Sequence, residues 1–247
     1  VRIKEGETSL VTPTGPMRTV VFAPEGEGRY PGVVMYSEIF QITGPIRRAA
    51  AFLAGCGHVV AVPEIYHDLV PAGTVLAYDK AGAERGNACK VARPVTAYDA
   101  DARAALDHLA TLPTCTGRLG SVGFCVGGHL ALRAALEPDV RAAACFEATD
   151  IHSGNLGMGG DDTLARIGDV RGELLMAWGR QDPHVPLEGR RLIHDALESG
   201  SVSFTWHELN AAHAAVRDEE SSGRYDPLVA RLFWELTLDL FRRRLTE

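Results

Sequence analysis

Leu119-Gly120-Ser121-Val122-Gly123-Phe124-Cys125-Val126-Gly127-Gly128-His129-Leu130-Ala131-Leu132 is the stretch on which the fold turns. An apolar run reads as a buried strand, G-x-C-x-G follows, and a helical pattern begins at once. Glycines two before and two after the central residue let the backbone turn sharply and let the helix pack close to the strand, so the side chain at the centre is thrust into the open. Standing at a helix N-terminus, Cys125 also meets the positive end of the helix dipole, which favours thiolate over thiol. A cysteine met without this context would read as a small buried hydrophobe.

Outward from the elbow, short runs rich in Val, Ile and Ala alternate with longer helical patterns. That is how a mainly parallel sheet covered by helices on both faces is written into sequence. Strands are expected over Gly32–Tyr36, His58–Pro63, Arg118–Gly123, Ala142–Phe146, Glu173–Trp178 and Val202–Leu209. Helices are expected over Pro45–Ala54, Val95–Leu112, Gly127–Leu136, Leu187–Glu198 and Pro227–Arg244, an α/β alternation of βαβ type. Thr8–Val11 and Met17–Pro24, separated by Thr12-Pro13-Thr14-Gly15-Pro16, read as an N-terminal β-hairpin. Tyr66–Arg93 receives no assignment. Gly154–Gly160 lacks a preceding strand and a P-loop lysine, so it reads as a mobile loop rather than a phosphate cradle.

A nucleophile at an elbow needs a carboxylate and then a histidine downstream. Asp182 stands in Gly179-Arg180-Gln181-Asp182-Pro183-His184-Val185-Pro186, just after a strand, where sites on open parallel sheets lie. His213 follows the last strand in Leu209-Asn210-Ala211-Ala212-His213. Of the nine histidines, most fall inside strands or helices or lack a strand immediately before them. His184 is the nearest rival, but it is two residues from Asp182 in a tight loop, which makes a facing hydrogen bond awkward. Asp182 and His213 taken singly would be a turn aspartate and a solvated loop histidine; the joint pattern is what singles them out.

Composition sets the outer limits. The 247 residues, 46% hydrophobic and 23% charged, suffice for a sizeable core and suggest one α/β domain over 1–247. With 32 acidic against 25 basic residues the net charge is −7, which argues against nucleic acid as a partner. No apolar run approaches the ~20 residues that span a bilayer, so no membrane association is expected. The start Val1-Arg2-Ile3-Lys4-Glu5-Gly6 has no leader pattern, and a cytoplasmic location is the simpler expectation. Five cysteines, an odd number with no C-x-x-C pair, read as free thiols rather than a disulfide framework or a metal site.

The combination resembles the dienelactone hydrolase family of the α/β-hydrolase superfamily over nearly the whole chain. The matching motifs are G-x-C-x-G-G at Gly123–Gly128, G-x-x-D-x-x-V-P at Gly179–Pro186, a post-strand A-x-H at Ala211–His213, and a strand ending in E-I-F at Glu38-Ile39-Phe40. The resemblance implies an α/β-hydrolase fold and a Cys125–His213–Asp182 triad. It also implies a Glu38 that contacts the thiol, an oxyanion hole from the amides of Ile39 and Val126, and Arg85 and Arg217 as contacts for a substrate carboxylate. Ala214 stands where a member acting on dienelactone shows serine, and Cys89 where a substrate-contacting tyrosine is associated with the family.

The activity so implied is cysteine-dependent hydrolysis of a small lactone or activated ester, carboxylated or not, through a thioester and without metal or organic cofactor. The competing class is a non-catalytic protein of the same fold that binds a small carboxylated ligand, distinguishable by slow, uniform alkylation of its five cysteines. A thiol redox role lacks a resolving cysteine near Cys125 in sequence. Monomer and homodimer are both open.

Overall fold

Residues two apart on a strand share a face, and this alternation divides the apolar residues between two cores. The computed structural model describes residues 1–219 and 224–246. Among these, β1 (Ile3–Thr12), β2 (Gly15–Pro24), β3 (Tyr30–Tyr36), β4 (Val59–Pro63), β5 (Cys115–Phe124), β6 (Val140–Phe146), β7 (Glu173–Gly179) and β8 (Ser203–Leu209) form one sheet of order β1-β2-β4-β3-β5-β6-β7-β8. Pairing is antiparallel for β1–β2 and β2–β4 and parallel from β4 onward. The helices are α1 (Gly44–Gly55), α2 (Lys80–Ala92), α3 (Val95–Thr111), α4 (Val126–Ala134), α5 (Thr163–Arg166), α6 (Leu187–Ser199) and α7 (Pro227–Phe241).

Val33 and Met35 on β3, with Leu175 and Ala177 on β7, pack against Ile46 and Leu53 of α1 and Phe233 and Leu240 of α7. Their neighbours Val34, Tyr36, Leu174 and Met176 face the other way, among Leu106 of α3, Leu130 of α4 and Ile193 of α6. Each fully buried side chain of this size contributes roughly 1.5–3 kcal/mol. The sheet is therefore mostly parallel with helices on both faces, the α/β-hydrolase arrangement.

Apart from shifts of a few residues at other ends and the short α5, for which no helix was expected, three elements differ from the sequence reading. β1 begins at Ile3 rather than Thr8, because an edge strand exposing Lys4, Glu5 and Glu7 carries no apolar alternation to read. α7 stops at Phe241 and continues as a π-helical turn over Arg242–Thr246. The unassigned segment contains α2, capped by Asp79, whose side chain accepts the Gly82 N–H at 2.7 Å. Gly82 and Gly86 weaken its helical signal, yet both are needed. A Cβ at Gly86 would lie 2.5 Å from the Ile39 carbonyl oxygen, and one at Gly82 would lie 2.0 Å from that of Ala77.

The glycine-rich run after β6 is tied down. Met158 N–H donates to Arg93 O at 2.6 Å, Leu156 N–H to Asp161 Oδ2 at 3.0 Å, and Asp161 lies 3.4 Å from His129 Nε2 on α4. Among the described residues no helix is long and apolar enough to cross a membrane.

Candidate active site

β5 runs into Cys125, whose backbone stands at φ 59° and ψ −124°. A non-glycine residue held there carries about 1–3 kcal/mol of strain, which the surroundings must over-determine. They do so through the residue's own peptide groups: Cys125 N–H donates to Phe146 O at 3.0 Å, and Cys125 O accepts from Thr149 N at 3.2 Å and Gly128 N at 3.0 Å. A Cβ at Gly123 would lie 1.9 Å from the Gly127 carbonyl oxygen, and one at Gly127 would lie 2.4 Å from the carbonyl oxygens of both Tyr36 and Ser37. The bare backbone at these positions lets α4 press onto the end of β3. Cys125 and Ile39 consequently border one cleft, ≈ 400 Å³ in volume.

Asp182 lies in the loop after β7 and His213 in the loop after β8, so β5, β7 and β8, with β6 between the first two, deliver one side chain each to the same rim. His213 Nδ1 donates to Asp182 Oδ2 at 2.7 Å, and the backbone N–H of His184 donates to Asp182 Oδ1 at 2.8 Å. With both carboxylate oxygens engaged, Asp182 fixes the imidazole and leaves its other nitrogen free, in a cleft that Cys125 also lines. Burial alone would lower the His213 pKa, but the Cys125 sulfur and Asp182 beside it hold it well above the ordinary imidazole value. Burial would raise the Asp182 carboxyl, but the bond and charge of His213 and the His184 amide keep it below the usual carboxylate value. The His184 ring packs edge-to-face on His213 at 4.6 Å, and burial followed by the His213 charge lowers its pKa.

Glu38 and Arg217 hold each other. Arg217 Nε donates to both Glu38 oxygens at 2.9 and 3.1 Å and Nη2 donates to Oε1 at 2.5 Å, while Nη1 takes no part in the pair. Tyr78 O–H donates to Glu38 Oε2 at 3.3 Å, and the Arg217 guanidinium lies over the Tyr78 ring at 4.4 Å and the Phe40 ring at 5.3 Å. The thiol contact implied for Glu38 is thus replaced by a buried ion pair with the arginine implied for the substrate. Arg217 still borders the cleft; Arg85, exposed on α2, does not. Ile39 borders it too, and Val126 opens α4, where the first N–H has no intrahelical acceptor. Among the described residues no group of three or more His, Cys, Asp or Glu side chains is placed to hold a metal ion.

A model of the "Dienelactone hydrolase family" matches residues 17–245. The chain belongs to the dienelactone hydrolase family. A Saccharomyces cerevisiae protein named "Putative carboxymethylenebutenolidase" is 41% identical to it over 239 residues, 93% of this chain and 87% of that protein. The carboxymethylenebutenolidase of Pseudomonas sp. strain P51 is 29% identical over 219 residues, 87% of this chain and 86% of that enzyme. The crystal structure titled "Putative Dienelactone Hydrolase" from Klebsiella pneumoniae has the same fold, with a TM-score of 0.83 at 23% identity over 98% of this chain and 100% of that one.

This dienelactone hydrolase family member has cleft residues that sequence reasoning passed over. Lys80 and Lys90 of α2 and Arg224 border the cleft with Arg217. Lys90 Nζ is 2.7 Å from Asp150 Oδ2, and the two side chains are only 11% and 17% exposed. These lysines were hidden with α2 itself. Glu147, the residue after β6, was also missed, although the rule that singled out Asp182 and His213, a position just past a parallel strand, applies to it equally.

Proposed function

We propose that this hydrolase cleaves small lactones or activated esters bearing an anionic group, with Cys125 as nucleophile, His213 as acid and base, and Asp182 orienting the imidazole. The observation that carries the reading is that His213, hydrogen-bonded to Asp182, shares the lining of a ≈ 400 Å³ cleft with Cys125. His213 takes the thiol proton, and the thiolate adds to the carbonyl carbon to give a tetrahedral oxyanion, received by the amides of Ile39 and Val126. The C–O bond breaks, the leaving oxygen takes the imidazolium proton, and a thioester remains. Water then gives a proton to His213 as its oxygen attacks the thioester; the C–S bond breaks, and an acid leaves with the thiolate–imidazolium pair restored. Thiolate chemistry favours good leaving groups such as enol lactones and aryl esters.

Cationic groups around the cleft support an anionic substrate. Lys90, five residues past Arg85 on the same helix, takes the carboxylate-binding part together with Arg217, because Lys90 borders the cleft and Arg85 does not. Glu38 then acts as the partner that orients Arg217. Hydrolysis of aryl esters and enol lactones, with and without a free carboxylate, tests both parts. Cys125→Ala is expected to lower kcat by about 10³-fold or more, and carboxylated members are expected to lead the panel in wild type but not in Lys90→Met. Undiminished hydrolysis by Cys125→Ala would discard the mechanism.

A further inference from the structure

The end of β6 and the residues that follow it bind both ends of the site at once. Phe146 stacks on Phe124 and Phe233, with centroids at 5.4 and 5.1 Å, and its carbonyl accepts the Cys125 N–H at 3.0 Å. Thr149 N–H returns to Cys125 O at 3.2 Å. Between these two hydrogen bonds lies Glu147, 1% exposed, at φ 49°, with its own N–H on Ala177 O of β7 at 2.8 Å. Its carboxylate reaches across to the loop after β8, where Oε2 accepts Ala214 N–H at 2.7 Å and Oε1 accepts Ala215 N–H at 3.2 Å. These are the two amides immediately after His213, and Ala214 itself stands at φ 67°. Burying a carboxylate is costly, and two amide donors are as well met by neutral carbonyls. Glu147 does not border the cleft, so substrate contact does not account for the charge.

We propose that Glu147 is a positioning residue for His213: its carboxylate clamps the histidine loop to the segment that holds the Cys125 backbone, and its negative charge favours the imidazolium partner of the thiolate. The inference rests on the Cys125–His213–Asp182 reading. The charged groups facing the carboxylate are His213, from the loop after β8, and Asp182, from the loop after β7. Burial pushes the Glu147 carboxyl up to about 7, while the His213 charge and the two alanine amides pull against that rise and Asp182 adds to it. The coupling is mutual, since Glu147 is among the groups that raise His213. Removing its charge makes the imidazolium easier to deprotonate, so His213 then titrates at lower pH.

The test is an NMR titration of the His213 ring in the whole protein, comparing wild type with Glu147→Gln and Glu147→Asp. Glu147→Gln is expected to move the His213 midpoint down by about half a unit or more. Glu147→Asp, with the charge kept on a shorter arm, is expected to restore most of that shift. A His213 midpoint unchanged in Glu147→Gln overturns the proposal even if hydrolysis falls, because a purely structural part would slow the enzyme without moving that titration. Should Glu147→Gln not fold, ¹³C titration of the Glu147 carboxyl in the unsubstituted protein decides. A midpoint near neutrality with an answering shift at His213 supports the proposal, and an ordinary acidic midpoint with no such response overturns it. Failure of the triad reading shows separately, as hydrolysis that survives Cys125→Ala.

Discussion

At Gly127 a single methyl group would have no room: its position lies 2.4 Å from two carbonyl oxygens at the end of β3, and neither can withdraw without moving the strand. Gly127→Ala is therefore expected to destabilise the protein by about 3 kcal/mol or more, since backbone rather than a flexible side chain must yield. Urea denaturation followed by circular dichroism measures it, and a loss under 1 kcal/mol would mean that α4 shifts freely. That glycine is legible in the sequence because it stands two residues past the cysteine in the elbow pattern, although the carbonyls it approaches belong to distant Tyr36 and Ser37. The positions of Asp182 and His213 are legible for a similar reason, each following within a few residues of the end of a strand. The embrace of Glu38 and Arg217 is not legible. It joins residues separated by 179 positions, and nothing in either neighbourhood records that an acid and a base will be buried together.

Among the elements, the buried strands and the longer helices can be read from their apolar patterns, and α2 and the outer half of β1 cannot. The glycines and charges of α2 serve the cleft rather than a core, so the helix shows few buried residues to count. Its packing on Ile39 nevertheless sets one wall of the site. Gly86→Ala would drive a Cβ to 2.5 Å from the Ile39 carbonyl oxygen, and α2, largely exposed, is the part able to retreat. The expected outcome is a fall in kcat of ~10-fold or more as the retreating α2 carries its cleft-lining Lys80 and Lys90 out of position, with thermal stability reduced far less than in Gly127→Ala. Parallel activity and melting measurements on the two variants check the contrast. The Gly154–Gly160 loop carries the same lesson in reverse, because a run whose glycines suggest freedom in sequence is held by hydrogen bonds from Met158 to Arg93 and from Leu156 to Asp161.

Over the whole molecule, the anchoring of that loop gives stability a dependence on acid. Burial tends to raise the Asp161 carboxyl, but hydrogen bonding and charge from His129, with further bonds from Thr163, hold it well below the ordinary value of 3.8. A carboxyl depressed in the folded state contributes stability that is complete above the unfolded value and is lost as pH falls toward the folded one. Unfolding free energy is expected to decline below pH ~4 by a share of order 2 kcal/mol from this group. In Asp161→Asn that share of the slope should vanish; denaturation curves at several pH values compare the two, and equal slopes would refute the assignment. The strand order has a last consequence, for synthesis. The thiol at 125 is made long before the imidazole at 213, and β5 to β8 are laid down side by side in the order in which they are translated. On the proposed mechanism, a nascent chain still short of β8 and the loop after it thus carries a sulfur with no proton acceptor.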